Sequence, residues 1–251
     1  MESHGLLRSA KDHPGTRHVN ETGAFQRGAG LLCVASLGSA TSLAYRYPSY
    51  EATGGGMDWG SRVWGYHPLF MTLAFVCFTV GALVFRFPLP WLAPQRRKAV
   101  HGLAHLGALV FGSVGLVAVW RSHGLAAGTA NGANLYSMHG WFGFATFCLA
   151  LFQSATAIVL FSVGVASDAL KAAALPPHRA LGRSILVFWA SAIATGVVEK
   201  NGFLGTCSYT VDDYDWNPAS HYTELPAVCR TGMWLGMMAM WAAVFATVAL
   251  S

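Results

Sequence analysis

Charge is what this sequence has least of. Asp, Glu, Lys and Arg together make up 11% of its 251 residues, where a soluble domain carries about a quarter. Between Ser122 and Ser167 there is none at all. With 54% hydrophobic residues and a positive mean hydropathy, that scarcity excludes an ordinary soluble domain and indicates an integral membrane protein. Sustained period-two alternation is also missing, which excludes a transmembrane barrel built from strands of about ten residues. Residues 1–24 are polar and carry no apolar core of a signal peptide, so no cleavable leader is expected.

What is present is a set of long apolar runs. A hydrocarbon core about 30 Å thick needs roughly 20 apolar residues in a helix. Six stretches meet that length, near 25–45, 64–87, 99–120, 135–163, 179–198 and 230–250. The fifth is the weakest, because Arg179 and Arg183 stand at its start. The expected architecture is an all-α membrane protein of six transmembrane helices, with residues 1–24 as a cytosolic tail and 25–251 as one six-helix domain.

Lys and Arg set the orientation. With the N-terminus inside, Arg8, Lys11, Arg17, Arg27, Arg86, Arg96, Arg97, Lys98, Lys171, Arg179 and Arg183 fall on the cytosolic side. Arg46, Arg62, Arg121, Lys200 and Arg230 fall on the other. Both termini are therefore expected in the cytosol, and the net charge of +5 reads as topology rather than as a nucleic-acid surface. Cys33, Cys77 and Cys148 lie within helices as small packing residues. Cys207 and Cys229 share the loop before the last helix, on the oxidising side, and are expected to form a disulfide.

Four of the ten histidines recur at a membrane-sized interval. His67, His101, His139 and His178 are spaced by 34, 38 and 39 residues, about one helix plus its loop. Each opens a successive helix, and alternate helices run in opposite directions. His67 and His139 then lie toward the outer face, His101 and His178 toward the cytosolic face. Two pairs at two depths are what two stacked hemes require in a central four-helix bundle. The sequence has no C-x-x-C-H, so the hemes are of the non-covalent b type.

Neighbouring residues extend the pattern. Met71, Gly143 and Gly182 stand one turn beyond His67, His139 and His178; the glycines leave room for a flat macrocycle or for close helix packing. In "HGLAH" either His101 or His105 could be the ligand. Depth favours His101, with His105 beside the pocket, since His105 lies about 6 Å deeper. Gln153 follows His139 by fourteen residues, about 21 Å along the helix, near the level of the inner pair. It could line that pocket or bridge helices.

The quoted segments "HPLFM", "KAVHGLAH", "NLYSMHGW", "PPHRALG" and "TGVVEK" occur in order with membrane-length gaps. By these the chain resembles the cytochrome b561 family of transmembrane electron-transfer proteins, over roughly residues 30–200. The resemblance implies two b hemes on the pairs His67 with His139 and His101 with His178. Met138 and Gly140 replace the more usual Leu and Ser, and the acidic loop after the fifth helix is longer than in familiar members. The resemblance also implies ascorbate as the cytosolic donor, and monodehydroascorbate or ferric chelates as acceptors across the lipid membrane. Arg86, Lys98 and Arg183 are the candidate contacts for ascorbate anion; the positive-inside rule alone also accounts for them. Arg121, His123, Asn134 and Tyr136 are the candidates on the outer side, where Asn134 and Tyr136 also suit interfacial anchors or caps. Two other readings stay open: a cytochrome b subunit oxidising quinol in a larger complex, and a small non-redox transporter. A homodimer is left open too.

Overall fold

The computed structural model describes residues 14–87, 93–125, 134–205, 207 and 225–251. His4, His13 and His221 lie outside the described residues, as do the side chains of 14–22, which include His18 and Asn20. Among the described residues six α-helices follow in order: α1 (Pro14–Arg46), α2 (Tyr66–Leu83), α3 (Pro94–Leu125), α4 (Met138–Ala157), α5 (Asp168–Phe203) and α6 (Ala227–Leu250). All six are long and apolar enough to cross a membrane, and no strand forms among the described residues.

Helix boundaries follow local chemistry. Pro94 opens α3, where its missing N–H costs nothing. Ser137 caps α4 by accepting from Gly140 N, and Ser167 caps α5 by accepting from Leu170 N. That second cap starts α5 well before the apolar run begins, and the helix continues through Pro176 and Pro177. Arg179 and Arg183 therefore lie inside a long helix rather than at its start. α4 ends in a wider π turn, Ile158–Ser162, and Gly164, at φ +80°, breaks the chain there.

Two kinds of packing hold the bundle. On one side α1 packs along α6, and both helices bury small side chains, Ala29, Cys33, Ala40 and Ala44 on α1 and Ala239, Ala242, Ala243 and Ala246 on α6. Small residues let helix backbones approach in lipid, where dispersion rather than the hydrophobic effect drives association. On the other side α2 packs along α3 and α4 along α5, while α3 and α4 scarcely touch. The two hairpins face each other across an interior filled by Phe78, Phe147 and Trp189. Cys33 is buried and Cys77 half-buried, but Cys148 is exposed, so the packing role expected for all three fails for Cys148. It points out of the bundle, as do Leu151, Phe152 and Trp141 near it.

A polar plug closes one end. Tyr47 Oη donates to Asn201 Oδ1 at 2.5 Å, and Asn201 Nδ2 donates to the Cys229 carbonyl at 3.2 Å. The expected disulfide is present, joining Cys207 to Cys229 with Cα atoms 5.5 Å apart. Together they tie the end of α1, the end of α5 and the start of α6.

Candidate functional site

His67 enters at the start of α2, followed by Pro68 in the first turn. Its Nδ1 lies 2.9 Å from the carbonyl oxygen of Gly115 on α3. Gly115 permits that approach, because a Cβ there would stand 3.2 Å from Met71 Cγ and 3.3 Å from Met71 N. Opposite, His139 sits in the first turn of α4 with Nδ1 3.0 Å from the Ala192 carbonyl on α5. Its ring lies on Gly196, where a Cβ would come within 2.6 Å of Cε1. The His67 and His139 ring centroids are 6.1 Å apart.

The second pair mirrors the first. His101 Nδ1 is 2.8 Å from the carbonyl of Gly81 on α2. The His101 and His178 centroids are 6.3 Å apart. His178 Nδ1 meets Gln153 Nε2 at 2.9 Å, and the same nitrogen donates to the His178 carbonyl at 2.7 Å. Gly182 makes space for that amide rather than lying bare: a Cβ there would stand 3.5 Å from Gln153 Nε2. Phe85 and Phe161 flank the pair, 5.2 Å from His101 and 5.4 Å from His178. Phe161 belongs to the π turn, a device that re-aims side chains at functional sites. His105 stacks edge-on to His101 at 4.4 Å and to Phe78 at 4.6 Å, and makes no hydrogen bond among the described residues. Phe78, Trp189 and Phe147 are in ring contact in the buried interior beyond it.

This arrangement has a chemical consequence. A carbonyl oxygen can only accept, so His67, His101 and His139 carry their protons on Nδ1 and keep the Nε2 lone pair free. A ring N–H held by a carbonyl is the support usually found behind a metal-binding imidazole. An atom held between two imidazole nitrogens by bonds of about 2 Å sets ring centroids roughly 6 Å apart, which matches both pairs. A cavity of about 330 Å³ runs beside the first pair, lined by His67, His139, Met71, Gly143, Trp120 and Gly196. Neutral nitrogen ligands in an apolar cradle fit a b-type heme.

Of the candidates Arg121, His123, Asn134 and Tyr136, the last three gather at the mouth of that cavity. His123 Nδ1 donates to Asn134 Oδ1 at 2.8 Å, and the His123 and Tyr136 rings are 6.2 Å apart. Tyr136 Oη donates to Glu199 at 2.8 Å. Burial, then the bond to Glu199, push its hydroxyl up to about 12. Arg121 is exposed and not part of the cavity lining. On the other side Lys98 and Arg183 are exposed, whereas Arg86 is engaged, its Nη2 donating to the Leu250 carbonyl at 2.8 Å. That bond caps the C-terminus of α6.

Several residues of the site were not expected from sequence. Gly81 and Gly115 act through their carbonyls, Gly196 supports a ring, and Glu199 and Lys200 line the cavity mouth, with Lys200 Nζ 4.3 Å from the Trp64 ring. The last three lie within "TGVVEK", the quoted segment that could have pointed to them.

Residues 66–204 match the family model described as eukaryotic cytochrome b561, a stretch running from the start of α2 to just past α5. The chain is 34% identical over 170 residues to the human lysosomal membrane ascorbate-dependent ferrireductase CYB561A3, covering 65% of this chain and 69% of that protein. It is 32% identical over 150 residues to the Xenopus laevis plasma membrane ascorbate-dependent reductase CYBRD1, covering 58% and 50%. With the Arabidopsis thaliana transmembrane ascorbate ferrireductase 1 it shares 29% over 154 residues, covering 60% and 62%. The chain belongs to the eukaryotic cytochrome b561 family, whose members are membrane heme proteins.

Proposed function

We propose that this protein is a transmembrane ascorbate-dependent oxidoreductase that takes electrons from ascorbate in the cytosol and delivers them to monodehydroascorbate or ferric iron on the opposite side. The names of the relatives support the donor and the ferric acceptor; the residues support the route. When bound, two b hemes supply one-electron relay chemistry at two depths. His67 and His139 hold one, and His101 and His178 the other. The two facing imidazole pairs at about 6 Å, with the Nδ1 protons of three of the four rings fixed by carbonyls, carry this reading.

Each residue has a defined task. Two facing imidazoles would hold each heme through nitrogen, and the heme would then supply electron transfer rather than oxygen chemistry. Gly196 lets the His139 ring lie against the α5 backbone, Gly115 lets α2 approach α3 beside Met71, and Met71 fills the edge of the cavity with a flexible thioether. Lys98 and Arg183 attract and orient the ascorbate anion. Arg86 contributes to that field while anchoring α6. At the other mouth His123, held by Asn134, offers an imidazole able to move a proton with the electron. Both termini lie in the cytosol.

A sealed-vesicle assay tests the proposal. With ascorbate inside and ferricyanide, ferric citrate or monodehydroascorbate outside, ascorbate-loaded vesicles carrying the protein should reduce at least one acceptor, and vesicles without it should not. Equal rates with and without the protein would rule the proposal out.

A further inference from the structure

The four ring-holding pairs are built on one plan. In each of α2, α3, α4 and α5, the residue fourteen positions after the histidine receives the histidine of the partner helix: Gly81 after His67, Gly115 after His101, Gln153 after His139, Ala192 after His178. Exchange is reciprocal within the hairpins α2–α3 and α4–α5. Three of the four partners act through the main chain. The fourth acts through a side chain, which mutation can change without altering the backbone.

That side chain is Gln153. It is 7% exposed, so its amide is committed to protein partners. Its nitrogen faces both His178 Nδ1, at 2.9 Å, and the His178 carbonyl, at 2.7 Å. An amide nitrogen only donates. In this arrangement His178 Nδ1 accepts, and the ring proton sits on Nε2, the nitrogen whose lone pair a metal needs. The other three histidines hold the reverse tautomer. An amide, unlike a main-chain carbonyl, can present either polarity by turning half a revolution about its last bond.

We propose that Gln153 is a positioning residue for His178, turning its amide so that Oε1 accepts the Nδ1 proton when His178 binds iron. The inference rests on the heme reading above. The turn gives up the bond to the His178 carbonyl and brings Oε1 to its side, so the amide also draws back from that oxygen, to which the helix itself supplies the N–H four residues on. Once turned, the acceptor behind the ring raises the basicity of the ligand and so favours ferric over ferrous iron. The heme on His101 and His178 is then tuned by a side chain, and the heme on His67 and His139 by main-chain carbonyls alone.

The test uses full-length detergent-purified protein, with heme content, low-spin paramagnetic resonance signals and a redox titration resolved for each heme. Gln153→Glu supplies a permanent acceptor of the same shape. Gln153→Met keeps the volume and removes both donor and acceptor. In Gln153→Glu the equilibrium of the His101–His178 heme should move about tenfold toward ferric, a shift of about 59 mV for one electron. Gln153→Met should move it the opposite way and alter that heme's low-spin signal, while the His67–His139 heme stays as in wild type. If Gln153→Met retains both the potential and the signal of wild type, Gln153 only packs, and the inference is overturned while the heme reading stands. If Gln153→Met loses that heme and Gln153→Glu retains it shifted, the inference holds. Wild-type protein without heme overturns both.

Discussion

His67 donates its Nδ1 proton to the carbonyl oxygen of Gly115, 2.9 Å away on the neighbouring helix. His101 returns the same bond from α3 to Gly81 of α2, at 2.8 Å. The two bonds lock the hairpin at both ends and leave each Nε2 free for a metal.

Because the pairs sit at opposite ends of the bundle, their hemes should fail separately. His139→Ala should empty the His67–His139 site or make it high-spin, leaving the other low-spin and reducible by ascorbate. His101→Ala should do the reverse. His105→Ala should shift the potential of the His101–His178 heme without emptying the site, since His105 touches His101 and Phe78 by ring edges only. A heme-resolved redox titration of the three variants checks this; an empty site in His105→Ala beside an intact one in His101→Ala would reverse the ligand choice.

Gly196→Ala should disturb the His139 ring. The added methyl would stand 2.6 Å from Cε1, so the ring must shift, at an overpacking cost of about 1–3 kcal/mol. The expected outcome is partial loss or a changed spectrum of the His67–His139 heme, with the other unaffected. Optical spectra that match wild type at both hemes would show that the ring has room to spare.

Lys98→Ala should slow reduction by ascorbate while both hemes stay bound. A hydrogen bond to a charged group contributes about 1.5–3 kcal/mol, or roughly ten- to hundredfold in apparent affinity. Arg86→Ala should behave differently, lowering thermal stability as well, because its guanidinium holds the Leu250 carbonyl. Stopped-flow reduction and thermal unfolding of both variants separate the two roles.

Much of this site was legible in the sequence, and the rest was not for definable reasons. Six apolar runs gave six helices, and histidines at helix-plus-loop spacing gave two facing pairs. Gln153 was placed near the His101–His178 level by rise per residue alone. The start of α5 was hidden, since Arg179, Arg183 and two prolines look like a boundary, whereas the Ser167 cap begins the helix at Asp168. Gly81 and Gly115 were hidden because a main-chain acceptor leaves no signature in residue type. Gly182 was expected to face a macrocycle or a close helix, and the nearest side chain to it is the amide of Gln153 on α4.

Removing the disulfide by Cys207→Ser with Cys229→Ser should lower stability. Closing a loop of sequence separation 22 contributes about 3 kcal/mol on chain-entropy grounds. A denaturation midpoint lower than that of unreduced wild type, matched by wild type in reductant, is the expected result.

Tyr136 should remain neutral through the working range. Its hydroxyl is pushed up to about 12 by burial and by the bond to Glu199, above an ordinary value near 10. The proton-bearing form is the stabilised one, so its contribution is complete below pH 10 and is lost as pH rises through about 12. Ultraviolet difference titration of wild type against Tyr136→Phe should therefore show no tyrosinate from this residue at pH 10.

The most direct test of the account is the number and ligation of hemes in the purified protein, measured by heme assay together with low-temperature paramagnetic resonance. Two b hemes per chain, both low-spin with two imidazole ligands, are the predicted result. One heme per chain, or a high-spin iron with an open position in the wild type, would contradict the pairing of His67 with His139 and of His101 with His178.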